Sequence, residues 1–237
     1  MNIVVRGMQA QQGGNPALAD PNLFEDTFLR ADQPFLMGDQ WEVPVDPNYA
    51  AVSYTGAQLA AVINTNLATG LTIASIAVGF GPRIFCIPRP LSWTRVQGQS
   101  QFAEYTPTVD NSVAGSLTRY GPMCLCNPNI GTAYMASISP EAGAQQIDLI
   151  RQGPVVTALG STAIGSFTVG QKVTLTATVN PADVTLQVFI AGVSALIVVD
   201  NAAGRLTTGL PGILILGASA GRFQTMTNFR GGALSRL

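Results

Sequence analysis

A chain of 237 residues with 47% hydrophobic content and a mean hydropathy of +0.29 can bury one large core or two small ones, which excludes disorder over most of its length. Only 11% of its residues are charged and the formal net charge is −1, so it is not a strongly electrostatic nucleic-acid binder. It has no histidine, which removes Ser-His-Asp and Cys-His catalysis and the commonest zinc ligand.

The low charge leaves an exterior of Thr, Ser, Gln, Asn, Gly and apolar side chains, a composition suited to being covered by partner subunits. Among the cations, eleven are Arg and one is Lys172. Arg is favoured in interfaces, being weakly hydrated and able to fork onto carboxylates, whereas Lys is depleted there. The first 46 residues set seven acids against Arg6 and Arg30, while the remainder carries ten cations against six acids. An acidic arm pairing with a neighbour's basic body and a solvated acidic surface are both compatible with that split.

In chain order, residues 1–22 contain the polar, Gly-rich run Gln9–Pro16 and read as an extended arm. Within it Ile3, Val4 and Val5 form a short β-prone segment able to add to a neighbour's sheet edge. Phe24, Phe28 and Trp41 would anchor a first strand and its returning loop. Val43–Tyr54, Gln58–Ile63 and the apolar run Leu71–Phe80 are candidate strands. No apolar stretch reaches the 18 or so residues of a membrane-spanning helix, and the start of the chain lacks the pattern of a signal peptide.

Residues 81–118 carry Pro82, Pro88, Pro90 and Pro107, which predict loops packed on the body or on a neighbouring subunit. Arg83, Arg89, Trp93 and Arg95 are the candidate interface residues there. From Tyr120 the pattern tightens. Thr132–Ser139 and Ala144–Arg151 predict a hairpin, followed by strands at Val155–Leu159, Lys172–Val179, Val184–Ile190 and Val193–Val199. In Lys172–Val179 apolar Val173, Leu175, Ala177 and Val179 alternate with Thr174, Thr176 and Thr178, a period of two that predicts one face in a core and one in water. Cys124 and Cys126, two apart in an extended segment, would lie roughly 7 Å from each other, too far for a disulfide. With Cys86 they are expected to be free thiols. Asp200-Asn201 before Gly204 reads as a turn more readily than as a calcium site. No cofactor or metal is expected.

The sequence Asp26-x-Phe28-x-Arg30-x-Asp32 followed by Gly38 and Trp41, together with Ile147–Arg151, Gly170–Val179, Thr208–Ile213 and the closing Asn228–Gly232, resembles concanavalin A-like, laminin-G-like jelly rolls of tailed-bacteriophage virion proteins. The match covers residues 24–45 and about 120–232. It implies an all-β, antiparallel two-sheet jelly-roll sandwich over 23–237, with an extended N-terminal arm over 1–22, an irregular insertion around 81–118, and the final Asn-Phe segment beside the first strand. It further implies a capsid decoration or cement subunit on the virion surface, made in the host cytoplasm and binding the major capsid protein and copies of itself as a homotrimer. No direct nucleic-acid or membrane contact is expected. The alternative is a lectin-like module of a phage tail or fibre, with Trp93, Tyr105 or Tyr120 stacking on a sugar ring. Glycanases of this fold carry two glutamates at alternate positions flanking an aspartate, and this chain lacks that triplet. An enzyme is therefore not expected.

Overall fold

The computed structural model describes residues 22–26, 41–42, 63–66, 70–74, 83–88, 99–110, 119–141, 144–165, 168, 170–216 and 223–237. Among these, every regular element is a β-strand except a 3-10 turn at Leu234–Arg236. In order they are β1 (Leu23–Asp26), β2 (Trp41–Glu42), β3 (Ile63–Asn66), β4 (Gly70–Ala74), β5 (Arg83–Pro88), β6 (Gln101–Asp110), β7 (Arg119–Asn127) and β8 (Thr132–Glu141). They continue with β9 (Ala144–Gln152), β10 (Thr157–Gly165), β11 (Val173–Val179), β12 (Val184–Ile190), β13 (Val193–Asp200), β14 (Leu210–Leu216) and β15 (Phe223–Ala233).

The strands form two antiparallel sheets. The first runs β13-β12-β11-β6-β15-β4-β3, with β1 also paired to β15, and the second runs β10-β9-β8-β7-β14-β5-β2. Leu23 to Asp26 lie opposite Gly232 to Phe229, so the terminal strands close the sheet as expected. The fit is close: Gly232 has the carbonyl of Asn22 where a Cβ would sit, and the Phe24 and Phe229 rings stand 6.2 Å apart.

Directly opposed residues share a face. One row across the first sheet therefore reads Phe24, Gly231, Ala103, Leu175, Val188, Leu196, and its neighbour reads Phe229, Tyr105, Val173, Ile190. These rows face the second sheet, where Cys124, Tyr134, Ala136, Leu149 and Ile147 complete the core. Gln101 crosses between the layers, its amide donating to the Gly209 carbonyl and accepting from the Leu125 N–H at 3.1 Å. Gly209 is obligatory at that contact, because it adopts φ 147° and backbone atoms of Leu125 and Cys126 lie where a Cβ would sit.

The structure corrects two expectations. Residues 81–118 are not an excursion of loops alone: they supply β5 and the ten-residue β6, the strand between β11 and β15 at the centre of the first sheet. Pro107 is tolerated because it lies opposite Met226 between two register shifts, where the missing N–H interrupts no regular ladder. Likewise the threonine face of β11 is not in water. Thr174 and Thr176 are 5% and 6% exposed, against 0% for Leu175. Both neighbours of β11 are long strands, and the turn at Leu234–Arg236 packs over β6 and β11 from outside. The segments Val43–Tyr54, most of Gln58–Ile63 and the end of Leu71–Phe80 lie outside the described residues.

Candidate functional site

On the outer face of the first sheet one row of opposed residues runs Glu25, Arg230, Glu104, Thr174, Phe189, Ser194, each from a different strand. Period-two alternation puts all six on the side away from the core. Their chemistry changes along the row from charged to uncharged. The Arg230 Nε lies 2.6 Å from Glu25 Oε1, and its guanidinium stands 5.7 Å above the centre of the Phe102 ring. Phe102 is fully buried yet separate from the core cluster, covered from outside. Glu104 accepts from Lys172 Nζ at 2.9 Å and from the Thr174 hydroxyl at 3.0 Å, with Arg230 Nη1 at 3.8 Å. A nearly buried carboxylate held by two cations and a hydroxyl stays compensated.

Beside this carboxylate the face opens into a cleft of about 630 Å³. Glu104, Thr174 and Phe189 come from the sheet, Gly170, Gln171 and Lys172 from the approach to β11, Ala191 and Gly192 from the β12–β13 turn, and Leu237 from beyond the 3-10 turn. The walls are locally fixed. Gln171 and Thr168 exchange two hydrogen bonds, at 3.0 and 2.9 Å, and the Ala191 N–H donates to the Lys172 carbonyl at 2.8 Å. Ala191 and Gly192 both take positive φ, 49° and 81°, as a two-residue hairpin turn requires. Among the aromatic side chains described (Phe24, Phe102, Tyr105, Tyr134, Phe189 and Phe229), only Phe189 is not buried. It lines this cleft.

A second polar cluster lies between the sheets. Asp200 Oδ2 accepts from the Tyr134 hydroxyl at 2.6 Å and from Arg151 at 2.8 Å, while Oδ1 accepts from the Ala202 N–H at 3.1 Å. The Tyr134 oxygen in turn accepts from the Leu206 N–H at 2.9 Å. Burial and the neighbouring Asp200 carboxylate push the Tyr134 hydroxyl above its ordinary range. Every partner of Asp200 named here is a donor, so the cluster is a cross-sheet clasp and a turn cap. Among the described residues no group of three or more His, Cys, Asp or Glu converges to hold a metal. Cys124 and Cys126 are buried and not joined in a disulfide, and burial raises the Cys124 pKa. Only the backbone of Cys86 is described, opposite Ile213.

Of the site residues expected from sequence, Tyr105 is overturned: it is 1% exposed and points into the core, so no sugar can stack on it. Tyr120 and Arg83 are described by backbone alone, opposite Ile215 and Leu216. Ile3, Val4, Val5, Arg89, Trp93 and Arg95 lie outside the described residues. Sequence reasoning missed Glu104, Lys172 and Phe189 as a group. The available signal was that Lys172 is the single lysine in the chain and immediately precedes the clearest strand. Their meeting depends on the β6–β11–β12 register, which spans almost 90 residues and leaves no local trace.

No family model matches the chain, and no curated protein matches it by sequence. Solved structures do match in shape. An endo-1,3-β-glucanase from Streptomyces sioyaensis superposes with TM-score 0.57 at 14% identity, covering 93% of this chain and 100% of that one. The CBM2 module of an evolved Dit protein of Lactobacillus casei BL23 phage J-1 gives TM-score 0.52 at 10% identity, covering 89% and 95%. The alginate lyase Aly36B gives 0.51 at 11%, covering 91% and 98%. At such identities the likeness establishes the fold: an antiparallel jelly-roll sandwich of the concanavalin A-like type.

Proposed function

We propose that this jelly roll is a non-catalytic recognition module that takes a saccharide in the cleft on the outer face of its first sheet. The observation that carries the reading is the placement of Phe189, the only accessible aromatic among those described, beside the donors and acceptors of Lys172, Gln171 and Glu104. A sugar presents C–H groups on one face and hydroxyls around its rim, and an aromatic ring with a few fixed polar groups matches both. The lectin-like alternative drawn from sequence is thus kept, with Phe189 in the place given to Tyr105. That structural neighbours include a phage CBM2 module and a glucanase is in keeping with it.

The non-catalytic part of the proposal rests on Glu104. It is the sole acidic side chain among the described lining residues, and it is clamped by Lys172 and Thr174. Glycoside hydrolysis ordinarily needs two carboxyl groups flanking the bond. The test is a glycan array with the full chain, followed by titration calorimetry on any hit. Phe189→Ala should weaken binding about tenfold, the value of one aromatic contact. Absence of binding across the array, or an unchanged Kd in the variant, would overturn the reading.

A second reading, a capsid decoration subunit on the virion surface that binds the major capsid protein, is favoured by a different observation. With 11% charged residues, the sandwich exposes Val155, Val193, Ile197 and Val199, a surface that fits apolar packing against a larger assembly. Co-sedimentation with capsids lacking this protein, without glycan binding, would select it.

A further inference from the structure

Charge is absent from two long stretches of the chain. No Asp, Glu, Lys or Arg occurs between Gln152 and Gln171, nor between Val184 and Val199. The fold brings both stretches to one side of the sandwich, because β10 ends the second sheet, β13 ends the first, and the two strands pack together. A Cβ on Gly160 would touch Val198. Edge strands ordinarily carry charges, prolines or bulges that stop them pairing with other chains. β10 is interrupted by register shifts at Ala158/Gly160 and Ala163/Gly165, with Gly165 at φ 65°. In contrast, β13 has one bulge, at Ala195, and then runs regularly from Leu196 to Asp200 along Val188 to Val184. Its single charge, Asp200, turns inward onto Arg151. Val193, Ile197 and Val199 are 70%, 58% and 55% exposed.

We propose that β13 pairs with β13 of a second copy, antiparallel across a two-fold axis, so that the first sheet continues through both molecules. The occupant follows from the charge pattern. A two-fold axis brings each edge side chain near its own equivalent, so a charge on the edge would face a like charge; an edge without accessible charge is compatible with itself. The alternation fixes a register as well. With Val198 opposite Val198, Ile197 of each copy meets Val199 of the other on the outer face, and the backbone groups left open at the sheet edge gain partners. Pairing of β13 with itself uses up that edge on both molecules, so this contact closes at two copies and does not generate the trimer expected from sequence. The proposal is independent of the cleft and of any ligand.

The experiment is sedimentation of the full chain and of Ile197→Lys/Val199→Lys. The wild type should sediment at twice the 24.7 kDa of one chain, and the variant as a monomer with the same thermal midpoint. In parallel, Ile197→Cys/Val199→Cys should form a disulfide-linked dimer under mild oxidation, whereas Ala158→Cys on β10 should not. A wild type that is monomeric at every concentration, a lysine variant that still dimerises, or equal crosslinking of both cysteine variants would overturn it. If the lysine variant fails to fold, the crosslinking alone decides.

Discussion

Removing the Asp200 carboxylate would leave the Arg151 guanidinium and the Tyr134 hydroxyl without their common acceptor in a site where Asp200 keeps 3% side-chain exposure. Breaking a buried pair from one side costs about 3–5 kcal/mol, and the 18% exposure of Arg151 places Asp200→Ala near the lower end. Urea titration with an unchanged m-value checks this, and a loss below about 1 kcal/mol would mean that water replaces the carboxylate. The raised pKa values of Tyr134 and Cys124 make a second prediction. Both groups stay protonated in the folded chain, while in the unfolded chain they ionise near their ordinary values of 10.0 and 9.0. Above those values the unfolded state binds fewer protons, so stability is fully present below about pH 9 and falls as pH rises further, by up to about 1.4 kcal/mol per pH unit for each group. Tyr134→Phe should make the alkaline limb of a stability–pH curve shallower.

At the scale of elements, β8, β9, β11, β12 and β13 were legible because their alternation and turn residues are local, whereas β10, expected at Val155–Leu159, runs over Thr157–Gly165. Val184–Ile190 was read with its true bounds, between the turns at Asn180–Asp183 and Ala191-Gly192. β6 was not legible. Gln101–Asp110 mixes Phe102 and Glu104 on one face with Ala103 and Tyr105 on the other, and Pro107 argues against any strand. Both of its faces are buried only in the folded sandwich, between the second sheet and the Leu234–Arg236 turn, and paired strands 70 and 130 residues away leave no mark on a local window. The same holds for the cleft: each lining residue is ordinary alone, and the register joins them. The β1–β15 pairing supplies the element-level prediction. Gly232→Ala would put a methyl group into the Asn22 carbonyl, so the ladder must part. Overpacking of this kind costs about 1–3 kcal/mol. Hydrogen exchange should localise the loss to Leu23–Asp26, and unchanged protection there would refute the steric account.

For the molecule as a whole, the terminal pairing was foreseeable from the matched ends of the sequence, while the coverage of the outer face by Leu234–Leu237 was not, since nothing in that short tail has a period. β15 is the strand on which the first sheet converges: β6 lies along one edge, and β4 and β1 share the other. A chain ending at residue 222 should therefore lose β1, β4 and β6 together, and limited proteolysis should cleave it throughout the first sheet. If the truncated chain resists protease as the full one does, the sheet does not depend on β15. Synthesis runs from the N-terminus, and this order has a consequence in time. On the ribosome β1, β4 and β6 are all made before the strand that joins them, and the Glu25–Arg230 contact must wait for 205 further residues. The nascent chain thus carries β1, β4 and β6 without their common partner until β15 has been made, and it completes its first sheet only when that strand leaves the exit tunnel.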